Sequence, residues 1–205
     1  MLEVEVKIIL EGDAEKRLIE GADFVNEKVM ADTYFDTPDF SLTTKDKWLR
    51  KRNNQFELKL PYDETELIGS REIDRYHELD SEDEIRRSLN ITENKSLEED
   101  LKNNNIIPFV TIVTTRKNYK NGKFNVVIDE LDYGYKLGEI EMVVEDNTKA
   151  EEAKEEVINF AKERGLKYSA KGIGKVIEYL RRHSPKHIHV LVKSGAVEES
   201  SLLEN

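Results

Sequence analysis

Cysteine is missing from this chain of 205 residues. Its absence excludes disulfide bonds, thiolate metal sites and a thiol nucleophile. Long apolar runs are missing too, because no segment approaches the roughly 20 apolar residues that a transmembrane helix needs. The chain opens directly on a strand-like pattern, so no signal peptide is predicted. We therefore expect a soluble, cytoplasmic protein that has no membrane partner.

Basic residues are fewer than acidic residues. The chain carries 32 lysines and arginines against 43 aspartates and glutamates, which gives a formal net charge of −11. This balance argues against a general binder of nucleic acid, but it does not exclude a small anionic substrate, because local charge decides such binding. With 38% hydrophobic residues, the chain is predicted to form one domain over residues 1–193, followed by a disordered tail over residues 194–205.

Residues 2–10 alternate between apolar and charged side chains, and this period of two predicts a β-strand. The charged residues on its polar face are Glu3, Glu5 and Lys7. The pattern returns over residues 137–143, where Glu139 and Glu141 again lie two residues apart. A single strand of this kind is most simply half-buried with a solvated face. Its repetition along the chain favours a closed sheet whose interior is polar.

The remaining elements alternate between strands and helices. Further strands are predicted at residues 24–35, 48–52, 55–60, 73–79, 109–116 and 124–129. Helices are predicted at residues 13–23, within 81–105, at 149–164 and at 175–182, the last ending before Pro185. Loops are predicted at residues 62–71 and 168–174. This order predicts an α+β fold in which an antiparallel β-barrel has helices packed outside.

Strand alternation places many charged side chains on the predicted interior. The acids are Glu3, Glu5, Glu57, Glu78, Asp129, Glu139 and Glu141. The bases are Lys7, Arg50, Arg52, Lys59 and Arg116. Carboxylates suit a hard cation such as Mg²⁺ or Mn²⁺, and guanidinium and ammonium groups suit phosphate oxygens. These charges either pair with one another or bind a metal-bridged polyphosphate, and the second reading is favoured because buried ion pairs seldom improve stability.

The sequence resembles the CYTH superfamily of triphosphate tunnel metalloenzymes. The superfamily signature Glu-x-Glu-x-Lys is present at residues 3–7. Further matches to the branch of animal thiamine triphosphatases follow in order over roughly residues 2–190. They are DTYFDTP (32–38), WLRKR (48–52), ELKLP (57–61), YHEL (76–79), DYGYKLGEIE (132–141) and GKVIEYLRRHSP (174–185).

The resemblance implies an eight-stranded antiparallel tunnel and assigns roles to its residues. The implied metal ligands are Glu3, Glu5, Asp129, Glu139 and Glu141, with Glu78 in support. The implied phosphate ligands are Lys7, Arg50, Arg52, Lys59, Arg116 and Lys175. Trp48 would stack on an organic cation, although its simplest reading without the resemblance is core packing. The chain departs from the mammalian pattern at Asn125 and Val127, where that pattern has Arg and Asp.

The favoured function is Mg²⁺-dependent hydrolysis of the terminal phosphoanhydride of thiamine triphosphate. Inorganic tripolyphosphate is an alternative substrate, and adenylate cyclase activity or non-enzymatic binding of polyphosphate are further alternatives. Two catalytic hypotheses stay open. Glu78 or a metal-ligating glutamate assists an attacking water, or Lys59 and Tyr76 together accept its proton. The resemblance also suggests a monomer whose partner is only the small-molecule substrate.

Overall fold

The computed structural model describes residues 2–62, 74–145, 147–169 and 174–199. Within these residues the strands are β1 (Leu2–Ile8), β2 (Asp23–Asp36), β3 (Trp48–Arg52), β4 (Gln55–Pro61), β5 (Asp74–Leu79), β6 (Ile107–Asn121), β7 (Phe124–Leu131), β8 (Lys136–Val144) and β9 (Tyr168–Ser169). The α-helices are α1 (Ala14–Leu18), α2 (Glu82–Leu89), α3 (Leu97–Asn103), α4 (Ala150–Glu163), α5 (Lys175–His183) and α6 (Pro185–Ser194). None of these helices combines the length and apolar character needed to cross a bilayer.

Eight of the strands form a closed antiparallel barrel. Their order is β5-β4-β3-β2-β6-β7-β8-β1, and β1 also pairs with β5, which closes the ring. The short β9 pairs with Lys7 and Ile8 at the end of β1, beyond the residues that pair with β5. The predicted eight-stranded barrel with helices outside is therefore confirmed.

Strand β1 separates an apolar outer face from a charged inner face. Leu2, Val4, Val6 and Ile8 are each at most 1% exposed. They pack in one hydrophobic cluster with apolar residues of α4, including Val157. The intervening charged residues point to the opposite face, as the period of two requires. The outer packing of α4 thus fixes which residues of β1 face the barrel interior.

Helices α5 and α6 cover one end of the barrel. Val176 and Leu180 of α5 pack with Tyr34 of β2 and Ile112 of β6 in a buried cluster. Leu191 of α6 belongs to the same cluster and is fully buried. The barrel end beside Tyr34 is therefore filled with apolar side chains.

The C-terminal part of the chain is more ordered than the sequence patterns indicated. Helix α5 ends at His183, before Pro185 as predicted, and Pro185 then begins α6, a further helix that the patterns did not predict. Proline suits this position because it lacks only an N–H that a first helical turn leaves unpaired anyway. Beyond the expected boundary at residue 193, Ala196 and Val197 are 4% and 8% exposed and join the cluster under α5. The packed domain therefore continues to at least Val197, and residues 200–205 lie outside the described residues.

Several predicted boundaries also shift. Helix α1 ends at Leu18 instead of residue 23, and β6 extends to Asn121 instead of residue 116. The second half of β6 was missed because its side chains from Lys117 onward are all polar or aromatic and show no apolar alternation. Two residues of the predicted loop at 168–174 form β9, and residues 170–173 lie outside the described part of the chain, as do residues 63–73.

A buried histidine ties α6 to the segment after β2. His187 is 1% exposed and stacks on Phe40 with ring centroids 3.8 Å apart. Its Nε2 lies 2.8 Å from the Thr43 hydroxyl, which donates to Asp36 at 2.6 Å. Because the Thr43 hydrogen is used by Asp36, the His187 Nε2–H donates to Thr43. Burial lowers the pKa of His187, and the charge of Asp36 only partly opposes this effect.

We predict that this contact makes the fold weaker in mild acid. A histidine whose pKa is lowered by folding binds fewer protons in the folded state, so its stabilising contribution is lost as the pH falls below 6.5. The free energy of unfolding should fall between pH 7 and pH 5, with a slope of at most about 1.4 kcal/mol per pH unit for one proton. Urea unfolding of wild type and His187→Gln at both pH values measures this, and an equal slope in the two proteins would contradict it.

Candidate active site

Three carboxylates converge inside the barrel. Glu3 and Glu5 lie two residues apart on the inner face of β1, and the register of β1 on β8 pairs Glu5 directly with Glu141. One oxygen from each of these three side chains lies within 4.8 Å of the others. Glu139, on the same face of β8, pairs with Lys7 instead. The two Glu-x-Glu strands are thus neighbours, which brings distant parts of the sequence together.

Burial and neighbouring charges shift the pKa values of these three carboxylates. Burial raises the pKa of Glu141 to about 8, and Glu139, Glu3 and Glu5 add to the rise while Arg116 opposes it. Burial likewise raises the pKa of Glu3 to about 7, against the opposing charge of Lys59. Burial also acts to raise the pKa of Glu5, but Lys59 and Lys7 outweigh it and hold this pKa below its ordinary value. A buried set of oxygen donors with excess negative charge fits a hard divalent cation.

Lys59 lies beside these carboxylates on β4. Its Nζ contacts a carboxylate oxygen of Glu3 and lies 3.4 Å from Glu5 and 3.2 Å from Glu78. Burial acts to lower the pKa of Lys59, but the three carboxylates raise it well above its ordinary value. Lys59 is therefore a charged ammonium in this setting, which suits contact with an anion and does not suit proton acceptance.

Two arginines, on the strands that flank β2, are held by fully buried aspartates. Arg52 donates from Nε and Nη2 to Asp32 at 2.6 and 2.7 Å, and Arg116 donates from the same atoms to Asp129 at 2.7 and 2.6 Å. Both aspartates are 0% exposed. Each two-pronged contact uses one edge of the guanidinium and leaves Nη1 on the other edge. The arginines are thus fixed in orientation. Their Nη1 atoms lie 3.9 Å from Glu57 in Arg52 and 3.6 Å from Glu141 in Arg116, which is too far for a hydrogen bond, so each can still donate to a ligand.

Lys175, at the start of α5, lies between the two aspartates. Its Nζ is 3.6 Å from Asp32 and 3.6 Å from Asp129, which is too far for a hydrogen bond. The Nζ is buried, and the structure gives it no hydrogen-bond partner among the described residues. Arg50 completes this basic side of the barrel, with its Nη2 2.6 Å from Glu57 and 3.9 Å from Glu78. The buried Lys175 ammonium is well placed to donate to an anionic ligand.

Trp48 lies on the inner face of β3, opposite Lys59 of β4. Its indole Nε1 donates to Oδ1 of Asp46 at 2.7 Å, and the hydroxyl of Tyr76 donates to the same oxygen at 3.0 Å. Asp46 is 4% exposed. One buried carboxylate therefore fixes the rings of both Trp48 and Tyr76. The Lys59 ammonium lies 5.6 Å from the centre of the Tyr76 ring, so Tyr76 contacts Lys59 through its ring face.

The structure brings the predicted site residues together in the barrel interior, but not all of the predicted metal ligands belong to the carboxylate cluster. The residues that the structure brings together there are Lys7, Arg50, Arg52, Lys59, Arg116, Lys175, Trp48, Tyr76, Glu78, Glu3, Glu5, Asp129, Glu139 and Glu141. Two predicted metal ligands lie apart from the carboxylate cluster. Asp129 is bound to Arg116, and Glu139 accepts from Arg116 at 2.9 Å.

Asp32 and Asp46 were missed as site residues. Asp32 falls in a stretch without apolar alternation, and Asp46 follows a short 3-10 turn in a left-handed conformation with φ of 57°. A period-two pattern gives no signal for either position.

Comparison with known proteins places the barrel in a family. The sequence description of the CYTH domain matches residues 1–171. The chain belongs to the CYTH family. Two curated relatives of this CYTH chain are the thiamine-triphosphatases of Macaca fascicularis and Homo sapiens, at 27% and 28% identity. Each comparison covers 97% of the chain and 93% of the relative.

Solved structures share the CYTH barrel at lower identity. A protein from Pyrococcus horikoshii OT3 matches with a TM-score of 0.62 and 19% identity, over 88% of this chain and 99% of that one. A Hippeastrum protein, described as an adenylyl cyclase candidate with a dominant triphosphatase activity, matches with a TM-score of 0.55 and 18% identity, over 87% of this chain and 95% of that one. At these identities the likeness shows the fold alone.

Proposed function

We propose that this CYTH protein hydrolyses the terminal phosphoanhydride of thiamine triphosphate in a reaction that needs a divalent metal ion. The observation that carries the proposal is the opposition of two charged walls in one barrel. Glu3, Glu5 and Glu141 form an acidic cluster, and fixed arginines and lysines surround it. The similarity to two mammalian thiamine-triphosphatases supports this choice of substrate.

The acidic cluster is the proposed metal site. Glu3, Glu5 and Glu141 would hold the ion, since their oxygens already lie within 4.8 Å of one another. Mg²⁺ fits this oxygen-only set, and Mn²⁺ accepts the same ligands. When bound, the ion neutralises charge on the phosphate oxygens and makes a water more acidic. Asp129, which was first expected to be a ligand, instead fixes Arg116 in our proposal.

The basic wall is the proposed phosphate site. Arg52 and Arg116 would donate from Nη1, because Asp32 and Asp129 occupy their other edges. Lys175 would add a donor from the end covered by α5. The remaining phosphate ligands in this proposal are Lys7, Arg50 and Lys59. Such charge-assisted contacts stabilise the negative charge that develops on the leaving diphosphate.

The reaction transfers the terminal phosphoryl group to water. The water oxygen forms a bond to the terminal phosphorus as the bond to the bridging oxygen breaks, and the diphosphate leaves with that electron pair. Glu78 is our proposed acceptor of the water proton, because its carboxylate lies beside the acidic cluster, 3.2 Å from Lys59, and Lys59 and Arg50 keep it ionised by holding its pKa below its ordinary value against the effect of burial. The pair of Lys59 and Tyr76 is disfavoured as acceptor, because Lys59 is held charged and the Tyr76 hydroxyl donates to Asp46.

Trp48 is the proposed determinant of substrate. Stacking and cation–π contact with the thiamine ring are worth about 0.5–2 kcal/mol, which corresponds to about a two- to thirtyfold change in kcat/KM. We expect Trp48→Ala to lower kcat/KM for thiamine triphosphate by that factor and to change tripolyphosphate hydrolysis much less.

Trp48→Phe is the matched control, because phenylalanine keeps an aromatic face but loses the hydrogen bond to Asp46. It should retain most of the preference for thiamine triphosphate. Equal losses for both substrates in Trp48→Ala would instead assign Trp48 to packing.

Inorganic tripolyphosphate is the second candidate substrate. It is favoured because the charged side chains of the barrel interior suit phosphate oxygens or a metal ion, and such binding requires no organic group. Steady-state phosphate release with thiamine triphosphate, tripolyphosphate and ATP separates the candidates. A kcat/KM at least tenfold higher for thiamine triphosphate than for the other two supports the proposal, and a preference for tripolyphosphate replaces it with the second candidate.

A further inference from the structure

A cavity of about 490 Å³ opens at the barrel end opposite α5. Lys28, Lys120 and three asparagines line it together with Glu141. Lys28 is six residues from Tyr34 along β2, or roughly 20 Å in an extended strand. Because Tyr34 packs under α5, the cavity and the buried apolar cluster under α5 lie at opposite ends of the barrel.

The cavity adjoins the acidic cluster. Glu141 belongs to both, and its neighbour on β7 is Asn125, which lines the cavity. Lys28 is the register partner of Arg116, which contacts Glu141 from 3.6 Å. A phosphate chain that passes the acidic cluster from the Trp48 side therefore enters this cavity next.

The walls of the cavity present hydrogen-bond donors. Lys120 donates to Oδ1 of Asn125 at 2.9 Å, so the NH₂ group of Asn125 is left as the donor. Asn118 donates to Oδ1 of Asn26 at 2.7 Å, which leaves the Asn26 NH₂ in the same way. In the described part of the chain, Lys28 has no carboxylate within salt-bridge distance, unlike the lysines of the barrel centre. Apart from Glu141, which the cavity shares with the acidic cluster, these side chains offer donors, and donors suit phosphate oxygens because such oxygens only accept.

We propose that this cavity is a subsite for the further phosphates of linear polyphosphates with four or more units. The proposal rests on the proposed function, in that the triphosphate must lie along the charged walls of the barrel. Lys28 supplies a positive charge in the subsite, and the asparagine amides supply neutral donors. The protein thereby accepts substrates that extend past the acidic cluster, whereas a barrel closed at this end would exclude them.

The test compares inorganic tripolyphosphate with inorganic tetraphosphate. Steady-state hydrolysis with Mg²⁺ gives KM for each, and calorimetric titration in the presence of a chelator gives the binding affinity without turnover. We expect wild type to bind and cleave tetraphosphate at least as well as tripolyphosphate. Lys28→Ala should raise KM for tetraphosphate about five- to tenfold more than KM for tripolyphosphate, the scale of one lost charge-assisted contact.

Lys117→Ala is the matched control. Lys117 lies on β6 next to Arg116, but its ammonium is 3.9 Å from Glu27 on the neighbouring strand and does not line the cavity. The Lys117→Ala substitution removes the same charge as Lys28→Ala and should leave the ratio of the two KM values unchanged. An equal change of the ratio in Lys117→Ala would show that only net charge matters and would overturn the subsite.

The remaining outcomes separate this subsite from the proposed function. If wild type cleaves tripolyphosphate but neither binds nor cleaves tetraphosphate, the subsite is wrong and the function stands. If Lys28→Ala weakens both chain lengths equally, Lys28 belongs to the triphosphate site and the subsite is again wrong. If neither tripolyphosphate nor tetraphosphate is cleaved while tetraphosphate binds more tightly in a Lys28-dependent manner, the subsite stands. The proposed function then fails only if thiamine triphosphate is not cleaved either.

Discussion

Glu141→Gln should lower kcat/KM for triphosphate hydrolysis about 100-fold or more. Glu141 is 9% exposed and one of its oxygens lies within 4.8 Å of both Glu3 and Glu5. The substitution removes a charged ligand, and a bound ion contributes several kcal/mol to such reactions, with each 1.36 kcal/mol worth a factor of ten. The half-saturating Mg²⁺ concentration should rise in the same variant, so excess Mg²⁺ should restore part of the rate.

Glu130→Gln is the control for this prediction. Glu130 lies next to Asp129 on β7, but it is exposed on the outer face of the barrel. The same chemical change there should leave both the rate and the Mg²⁺ requirement as in wild type. Wild-type turnover in a folded Glu141→Gln protein would remove the carboxylate cluster from the mechanism.

Asp129→Ala should destabilise the fold by about 3–5 kcal/mol. Removing one partner of a buried ion pair leaves an uncompensated buried charge. In Asp129→Ala, Arg116 would lose two hydrogen bonds and Lys175 would lose one of its two neighbouring carboxylates. Chemical unfolding measures the change, and Asp132→Ala, in the exposed turn after β7, is the control that should stay within about 0.5 kcal/mol of wild type.

Asp129→Asn separates the two roles that have been considered for Asp129. If Asp129 orients Arg116, the asparagine variant should bind triphosphate more weakly, while its half-saturating Mg²⁺ concentration changes less than about twofold. If Asp129 is a metal ligand, that concentration should rise as it does in Glu141→Gln. The second result would contradict the role that the contact with Arg116 indicates.

The strand pattern predicted the barrel well because each buried strand must separate its two faces. In β1, apolar residues alternate with Glu3, Glu5 and Lys7 without a break, so the interior face follows from the period alone. The same reasoning placed Arg50 and Lys59 on neighbouring strands, as the register of β3 and β4 shows. The number of eight strands came from the resemblance, and the order of the strands around the barrel was not predicted.

The pattern failed where apolar and polar residues are mixed along a strand without alternation. Residues 23–29 of β2 are exposed throughout, so Lys28 carried no sign that it lines a cavity beside Arg116. Asp32 belongs to the same strand, and its pairing with Arg52 depends on a register that local sequence does not reveal.

The sequence also did not reveal which carboxylates bind arginine and which form the acidic cluster. Seven acids share the predicted interior, and composition alone gives each the same affinity for a metal ion. In the folded chain, Arg116 donates to both Asp129 and Glu139. Glu3, Glu5 and Glu141 also contact basic side chains, but they converge on one another as well. Which acids pair and which cluster depends on the side chains opposite them in the closed barrel.

The most direct test of the account is phosphate release from thiamine triphosphate by the wild-type chain, measured with saturating Mg²⁺ and again with an excess of chelator. The account predicts steady turnover with Mg²⁺, loss of that turnover with chelator, and its return when Mg²⁺ is added back. Turnover that persists undiminished in chelator, or the absence of turnover with either Mg²⁺ or Mn²⁺, would contradict a metal-dependent triphosphate hydrolase.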